Sequence, residues 1–167
     1  YWRGIAFQGK ENFSKVAVPS LSISGWFDVS YPGTPMNYEG VKQWGATPAA
    51  RKPSMIIGPW VHGGHHSKSH VTGGIDYGAD SVLDTNAIQV RWLDHYLKGI
   101  DNGVEKDPPV RVFVMGVNRW RTAQDWPLPQ TQFTPYYLAS GGSANSSAGD
   151  GRLTTVAPKG RNCDQYV

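Results

Sequence analysis

Hydrophobic and polar positions alternate between two periods along this chain, and the changes of period predict its elements. Val16-Ala17-Val18-Pro19 leads into the apolar run Leu21-Ser22-Ile23-Ser24, which stops at Gly25 and reads as a buried strand. Thr34-Pro35 offers an N-cap and a first-turn proline to a helix that carries Met36, Val41 and Trp44, is weakened by Gly40 and is closed by Gly45. Ser54-Met55-Ile56-Ile57-Gly58, ended by Pro59, is too short for a helix and reads as a second strand. From Asp80-Ser81 onward Leu83, Ala87, Val90, Leu93 and Leu97 recur at helical spacing, Asp84 falls in the first turn, and Lys98-Gly99 ends the strongest predicted helix.

Strand, helix, strand, helix in this order predicts an α/β unit on a parallel sheet. The pattern changes at Asp101-Asn102-Gly103 and Asp107-Pro108-Pro109, so a domain boundary is expected near Glu105. Beyond it Val110–Met115, Thr134–Leu138 and Arg152–Thr155 read as short antiparallel strands of a sandwich or jelly roll too short to close. The Gly/Ser/Ala/Asn stretch Ser140–Gly151 reads as a mobile loop between two of them. Tyr1–Lys15 stands apart as a leading segment.

With 167 residues, 39% hydrophobic and 17% charged, the chain can bury a core. No run of about 18 apolar residues exists, which excludes a membrane-inserted helix. The formal charge of +3 is spread without a basic block or interleaved aromatics, which argues against a nucleic-acid partner. The single Cys163 forms no internal disulfide. The chain starts at Tyr1 without a leader pattern, so a processed product or a piece of a longer protein is expected, and localisation and oligomeric state are open.

Functional groups of open α/β sheets gather where strands end and loops leave. Asp28 follows the first strand in Gly25-Trp26-Phe27-Asp28, and His62 follows the second in Gly58-Pro59-Trp60-Val61-His62. Neighbouring strands lie about 4.8 Å apart, so the two side chains can meet. Such a pair serves a nucleophilic hydrolase, the carboxylate orienting the imidazole that moves the nucleophile's proton; spacing alone equally allows a turn-capping Asp and a loop His. Trp26, Phe27, Tyr31 and Trp60 surround the pair as an apolar substrate wall or as packing beneath it. His65, His66 and His70 lie in a Gly/Ser/Thr-rich loop that shows no rigid support for zinc, and neither metal nor cofactor is expected.

Those two stretches occur in order with Arg91-Trp92-Leu93-Asp94-His95-Tyr96-Leu97-Lys98-Gly99 and Pro108-Pro109-Val110-Arg111-Val112-Phe113-Val114-Met115-Gly116. Asn118-Arg119-Trp120-Arg121, Trp126-Pro127-Leu128-Pro129 and Tyr136-Tyr137-Leu138 extend the match. Together they resemble the superfamily of cocaine esterase, α-amino-acid ester hydrolases and X-Pro dipeptidyl peptidases. The resemblance implies an α/β fold, with residues 1–105 the C-terminal portion of an α/β-hydrolase domain, 1–15 the end of a cap insertion, and 106–167 the start of a jelly-roll-like β-sandwich.

It further implies that Asp28 and His62 complete a Ser-Asp-His triad acting on a small acyl ester, amide or peptide. The family's nucleophile sits upstream in a Gly-x-Ser-Tyr-x-Gly elbow. Ser24, Ser30 and Ser54 lie in no such setting, so the isolated chain is expected to be inactive. Asp94 and His95 are expected to be structural. A different reading, a non-catalytic glycan- or protein-binding module, would use Trp120, Trp126 and Tyr136 as stacking platforms.

Overall fold

The computed structural model describes residues 7–159; Cys163 and the first six residues of the leading segment lie outside them. Four strands form one sheet in the order β1-β2-β5-β6: β1 (Leu21–Phe27), β2 (Ser54–Val61), β5 (Val110–Val114) and β6 (Arg119–Ala123). β1, β2 and β5 run parallel, and β6 turns back antiparallel on β5. The crossovers are α2 (Gly33–Trp44), between β1 and β2, and α3 (Thr85–Lys98), between β2 and β5. A short helix α1 (Lys10–Phe13) precedes the sheet, and β3 (Val71–Thr72) and β4 (Ile75–Asp76) form a small hairpin after β2.

Strand alternation divides the sheet into two faces. Met55 and Ile57 of β2 and Val110 and Val112 of β5 pack with Tyr38 of α2 into a core joined by Trp26, Tyr31, Ala123, Trp126 and Leu128. Ile56 and Arg111, toward α3, and Phe113, against Tyr77 and Trp120, take the other face.

Both leading strands run further than their apolar runs. β1 continues past Gly25 to Phe27, and β2 passes through Pro59 to Val61. Pro59 has no N–H for a ladder, and it sits where the β1–β2 register shifts, the setting in which a sheet tolerates proline. The β2–β5 ladder stops at Ile57–Val112; beyond it the Phe113 carbonyl accepts the Trp26 indole N–H at 2.7 Å.

The helices correct the expected boundaries. α2 starts at Gly33, after Pro32, so Thr34 and Pro35 lie inside its first turn and Thr34 is not the cap. α3 starts at Thr85 rather than Asp80; Ala79–Ser81 is a separate 3-10 turn, and the Asp84 carboxylate caps the helix by accepting from the Ala87 N–H at 2.9 Å. Gly99 ends α3 in the left-handed conformation, its N–H donating to the His95 carbonyl and the Ile100 N–H to the Asp94 carbonyl. Val90 and Leu97 of α3 are exposed, by 56% and 76%, and the face turned to the sheet carries Ile88, Arg91 and Trp92.

A domain boundary is expected near Glu105, and the sheet itself continues across that point. Val110–Ala123 pairs into it, Lys42 of α2 is ion-paired with Asp125, and Trp126 and Leu128 complete the core. The division between compact units falls between Pro129 and Gln130. In the second unit, β7 (Tyr137–Ala139) and β8 (Arg152–Thr154) form an antiparallel pair. The loop expected to be mobile is tied down there: the Asp150 carboxylate accepts from the backbone N–H groups of Gly141 and Ser143. No sandwich closes among the described residues.

Gly40, which weakens α2 locally, is required by packing. The Phe13 ring, 3% exposed and stacked on Trp44, lies 2.2 Å from where a Gly40 side chain would begin. Gly40→Ala should therefore destabilise the chain by about 1 kcal/mol, the overpacking exceeding the helix-propensity gain. In a Phe13→Ala background the same change should be neutral or stabilising; thermal denaturation of the four-member cycle checks this.

Candidate active site

The sheet brings Asp28 and His62 together by a difference of one residue. From the paired Gly25 and Gly58, β1 takes two steps to Phe27 while β2 takes three to Val61, and Phe27 and Val61 are again partners. The bulge absorbs the extra residue, so Asp28 and His62, each one position further, emerge side by side. It needs glycine opposite it: a Cβ on Gly25 would stand 1.9 Å from the Trp60 carbonyl oxygen, and one on Gly58 2.5 Å from the Trp60 ring.

His62 Nδ1 lies 3.1 and 3.2 Å from the two Asp28 oxygens. In the tautomer that donates Nδ1–H to the carboxylate, the basic Nε2 is on the opposite edge of the ring. Exposure divides the pair: the Asp28 side chain is 10% exposed and that of His62 74%. The Ser30 N–H donates to Asp28 Oδ1 at 2.7 Å in an Asx-type turn, and the Asp28 carbonyl accepts from the Tyr31 N–H. That backbone bond chiefly, opposed by burial and helped by His62 and the charge of His65, holds the Asp28 carboxyl below its ordinary range.

Of the proposed aromatic wall, Trp60 is buried, 3% exposed, with its indole N–H donated to the Ser81 carbonyl at 3.2 Å. Trp26 and Tyr31, their rings 5.1 Å apart, pack on the α2-side core. Phe27 is the member with a free face, 45% exposed beside Tyr77. The first three thus support the pair from beneath.

The histidine loop separates. His65 and His66 adjoin with centroids 3.9 Å apart, and burial followed by the His66 charge holds the His65 imidazole below its ordinary pKa. His70 instead bonds Asp76 Oδ1 at 2.6 Å, and the described residues hold no cluster of three or more metal-ligating side chains. Asp94 pairs with Lys98 and His95 Nδ1 bonds the Ile100 carbonyl, both at the end of α3 away from Asp28. Trp120 is no stacking platform: its ring packs against Trp60 and Phe113, and its indole N–H bonds the Asp80 carbonyl. Trp126 is likewise in the core, and Tyr136 remains exposed.

Sequence reasoning did not single out Thr85 and Ser81. Buried Thr85 donates its hydroxyl to the His65 carbonyl at 2.9 Å, tying the turn after His62 to α3, and Ser81 holds Trp60. No sequence pattern marks either. The Ser30 contact was available from Asp28-Val29-Ser30, since aspartate readily bonds an N–H two residues on.

Residues 102–167 match the X-Pro dipeptidyl-peptidase C-terminal non-catalytic domain. The chain is 31% identical to cocaine esterase of Rhodococcus sp. (strain MB1 Bresler) over 172 aligned residues, covering 99% of this chain and 28% of that protein. A serine esterase of Mycobacterium bovis is 32% identical over 170, covering 100% of this chain and 22% of its own length. The chain thus spans about a quarter of the length of these curated relatives. In fold it is similar to an aminopeptidase from a marine sediment archaeon, Thaumarchaeota archaeon, with a TM-score of 0.64 at 24% identity, over 80% of this chain and 22% of that one. By its alignment with the esterases along its whole length and with the peptidase domain over its C-terminal part, the chain belongs to the hydrolase superfamily that contains cocaine esterase and the X-Pro dipeptidyl peptidases.

Proposed function

We propose that this chain supplies the acid-base half of a serine hydrolase that cleaves acyl ester or amide bonds, Asp28 orienting His62, with the serine nucleophile in the part of the protein that precedes this segment. The observation that carries the reading is the Nδ1–carboxylate contact at 3.1 and 3.2 Å beyond the ends of two parallel strands. His62 Nε2 takes the serine proton during attack on the acyl carbon and returns it to the leaving group; water then cleaves the acyl-enzyme by the same proton route. Asp28, held ionised by the Ser30 N–H, stabilises the imidazolium as it forms. X-Pro dipeptides and α-amino-acid esters are the substrate classes that the superfamily suggests. The relatives' names favour the ester, and the peptidase domain favours the dipeptide. The jelly-roll reading of the C-terminal part rests on that same domain match.

Fluorophosphonate labelling tests the assignment. The isolated chain should take no label. The full-length protein should be labelled, with His62→Ala abolishing the reaction and Asp28→Asn slowing it by on the order of 10³-fold or more. Label on the isolated chain would place the nucleophile within it and overturn the proposal.

The Asp28 carboxyl also carries a pH signature. Its folded pKa lies below the unfolded value, so its contribution to stability is present above about pH 4 and lost as pH falls through the folded pKa. Thermal melting from pH 6 to pH 2 should show a smaller acid loss for Asp28→Asn than for the unsubstituted chain.

A further inference from the structure

A cavity of about 440 Å³ lies between α3 and the sheet, away from the Asp28–His62 pair. Leu21 and Ser54, where β1 and β2 begin, line it, whereas Asp28 and His62 follow the ends of those strands, on the order of 20 Å further along. Its walls are apolar and aromatic: Ile56 from the sheet, Ile88 and Trp92 from α3, Val104 and Pro109 from the connection, and Trp120 from β6.

Three charged side chains border it. Arg91 is ion-paired with Asp107 and also donates to the Asn102 carbonyl, so these two charges satisfy each other. Arg111 is left over. Its guanidinium lies over the Trp120 ring, 4.8 Å from the centroid, and donates to no other side chain or carbonyl among the described residues. The Trp120 ring covers one face of the guanidinium, and the N–H groups at the edge of the plane stay open to an incoming acceptor. Burial chiefly, opposed by the nearby Asp107 carboxylate, lowers the Arg111 pKa.

We propose that this cavity is a binding site for a small carboxylate with an aromatic or branched apolar body, the carboxylate taken in the plane of the Arg111 guanidinium and the body held between Trp92, Ile88 and Ile56. One planar fork with two usable in-plane donors matches a carboxylate. A phosphate would call for more donors than the single unpaired cation provides. The site is independent of the nucleophile, so its test stands apart from that of the hydrolase reading.

Benzoate is the probe, titrated into the 167-residue chain by calorimetry and by following indole N–H signals in heteronuclear spectra. Saturable one-to-one binding below about 10 mM is expected, with Trp92 and Trp120 the indoles that shift. Benzamide, the same shape without the charge, and inorganic phosphate, the charge without the body, should each bind at least about tenfold more weakly. Arg111→Met should weaken benzoate by about tenfold or more.

Because that change also removes the stacking on Trp120, a second variant is decisive. Thr122 is exposed and is the cross-strand partner of Arg111, so Thr122→Glu offers the guanidinium an internal carboxylate that should exclude benzoate while circular dichroism and melting remain those of a folded chain. Absence of saturable benzoate binding, equal binding of benzamide or phosphate, or an unchanged affinity in folded Thr122→Glu would overturn the proposal.

Discussion

The whole site depends on the close passage of β2 over β1 at Trp60. Its backbone carbonyl lies where Gly25 would carry a side chain, its ring lies where Gly58 would carry one, and its indole N–H is bonded to the Ser81 carbonyl. Those three contacts hold one extra residue of β2 in a bulge. Without the bulge Asp28 would emerge beside Val61 and His62 would pass a residue beyond it, too far along the strand for the carboxylate to reach Nδ1. The glycines that open Gly25-Trp26-Phe27-Asp28 and Gly58-Pro59-Trp60-Val61-His62 serve the same tryptophan, and this explains why one stretch is a residue longer than the other.

The pair that results is asymmetric, and the asymmetry suits proton transfer. Asp28 is sunk beneath the surface and fixed by the backbone turn to Ser30 and Tyr31, so its charge is there before any imidazolium forms. His62 stands exposed, with its orientation fixed at Nδ1 and its Nε2 edge left to reach another group. Rigidity on the carboxylate side and access on the imidazole side are what a general base next to a separate nucleophile requires.

The sequence made the strands, the crossovers and the Asp28–His62 pair legible because each is a local or strictly ordered signal: short apolar runs, a terminal Gly99, two polar residues placed after strands. It left the covered side of α3 open. Leu83, Ala87, Val90, Leu93 and Leu97 have the periodicity of a buried face, yet Ile88, Arg91 and Trp92 face the sheet, because a helix with apolar residues on more than one side does not tell which side has a partner. The boundary expected near Glu105 lies close to residue 102, where the match to the C-terminal domain begins, but the sequence did not reveal that β5 pairs with β2. Turn residues announce a change of direction, not a change of sheet, and only the ladder to β2 shows that β5 stays in the first unit. The roles of Thr85 and Arg111 in packing were invisible because they lie in contacts distant along the chain.

The placement of β5 bears on how residues 102–129 support the pair. The match to a non-catalytic C-terminal domain begins at residue 102, while the compact unit containing Asp28 and His62 extends to Pro129. The overlap comprises β5 and β6, and its residues reach under the site: the Phe113 carbonyl holds the Trp26 indole, the Phe113 ring meets Tyr77 and Trp120, and Trp120 packs on Trp60. Trp26 and Trp60 flank Asp28 and His62 in sequence and carry the geometry of the bulge. The segment thereby helps to fix where Asp28 and His62 stand, since without β5 the strand β2 would be an edge of this sheet. The order of the sheet makes β5 the partner of the His62-bearing strand over Met55–Ile57, so part of the stretch that matches the C-terminal domain belongs to the sheet that carries Asp28 and His62.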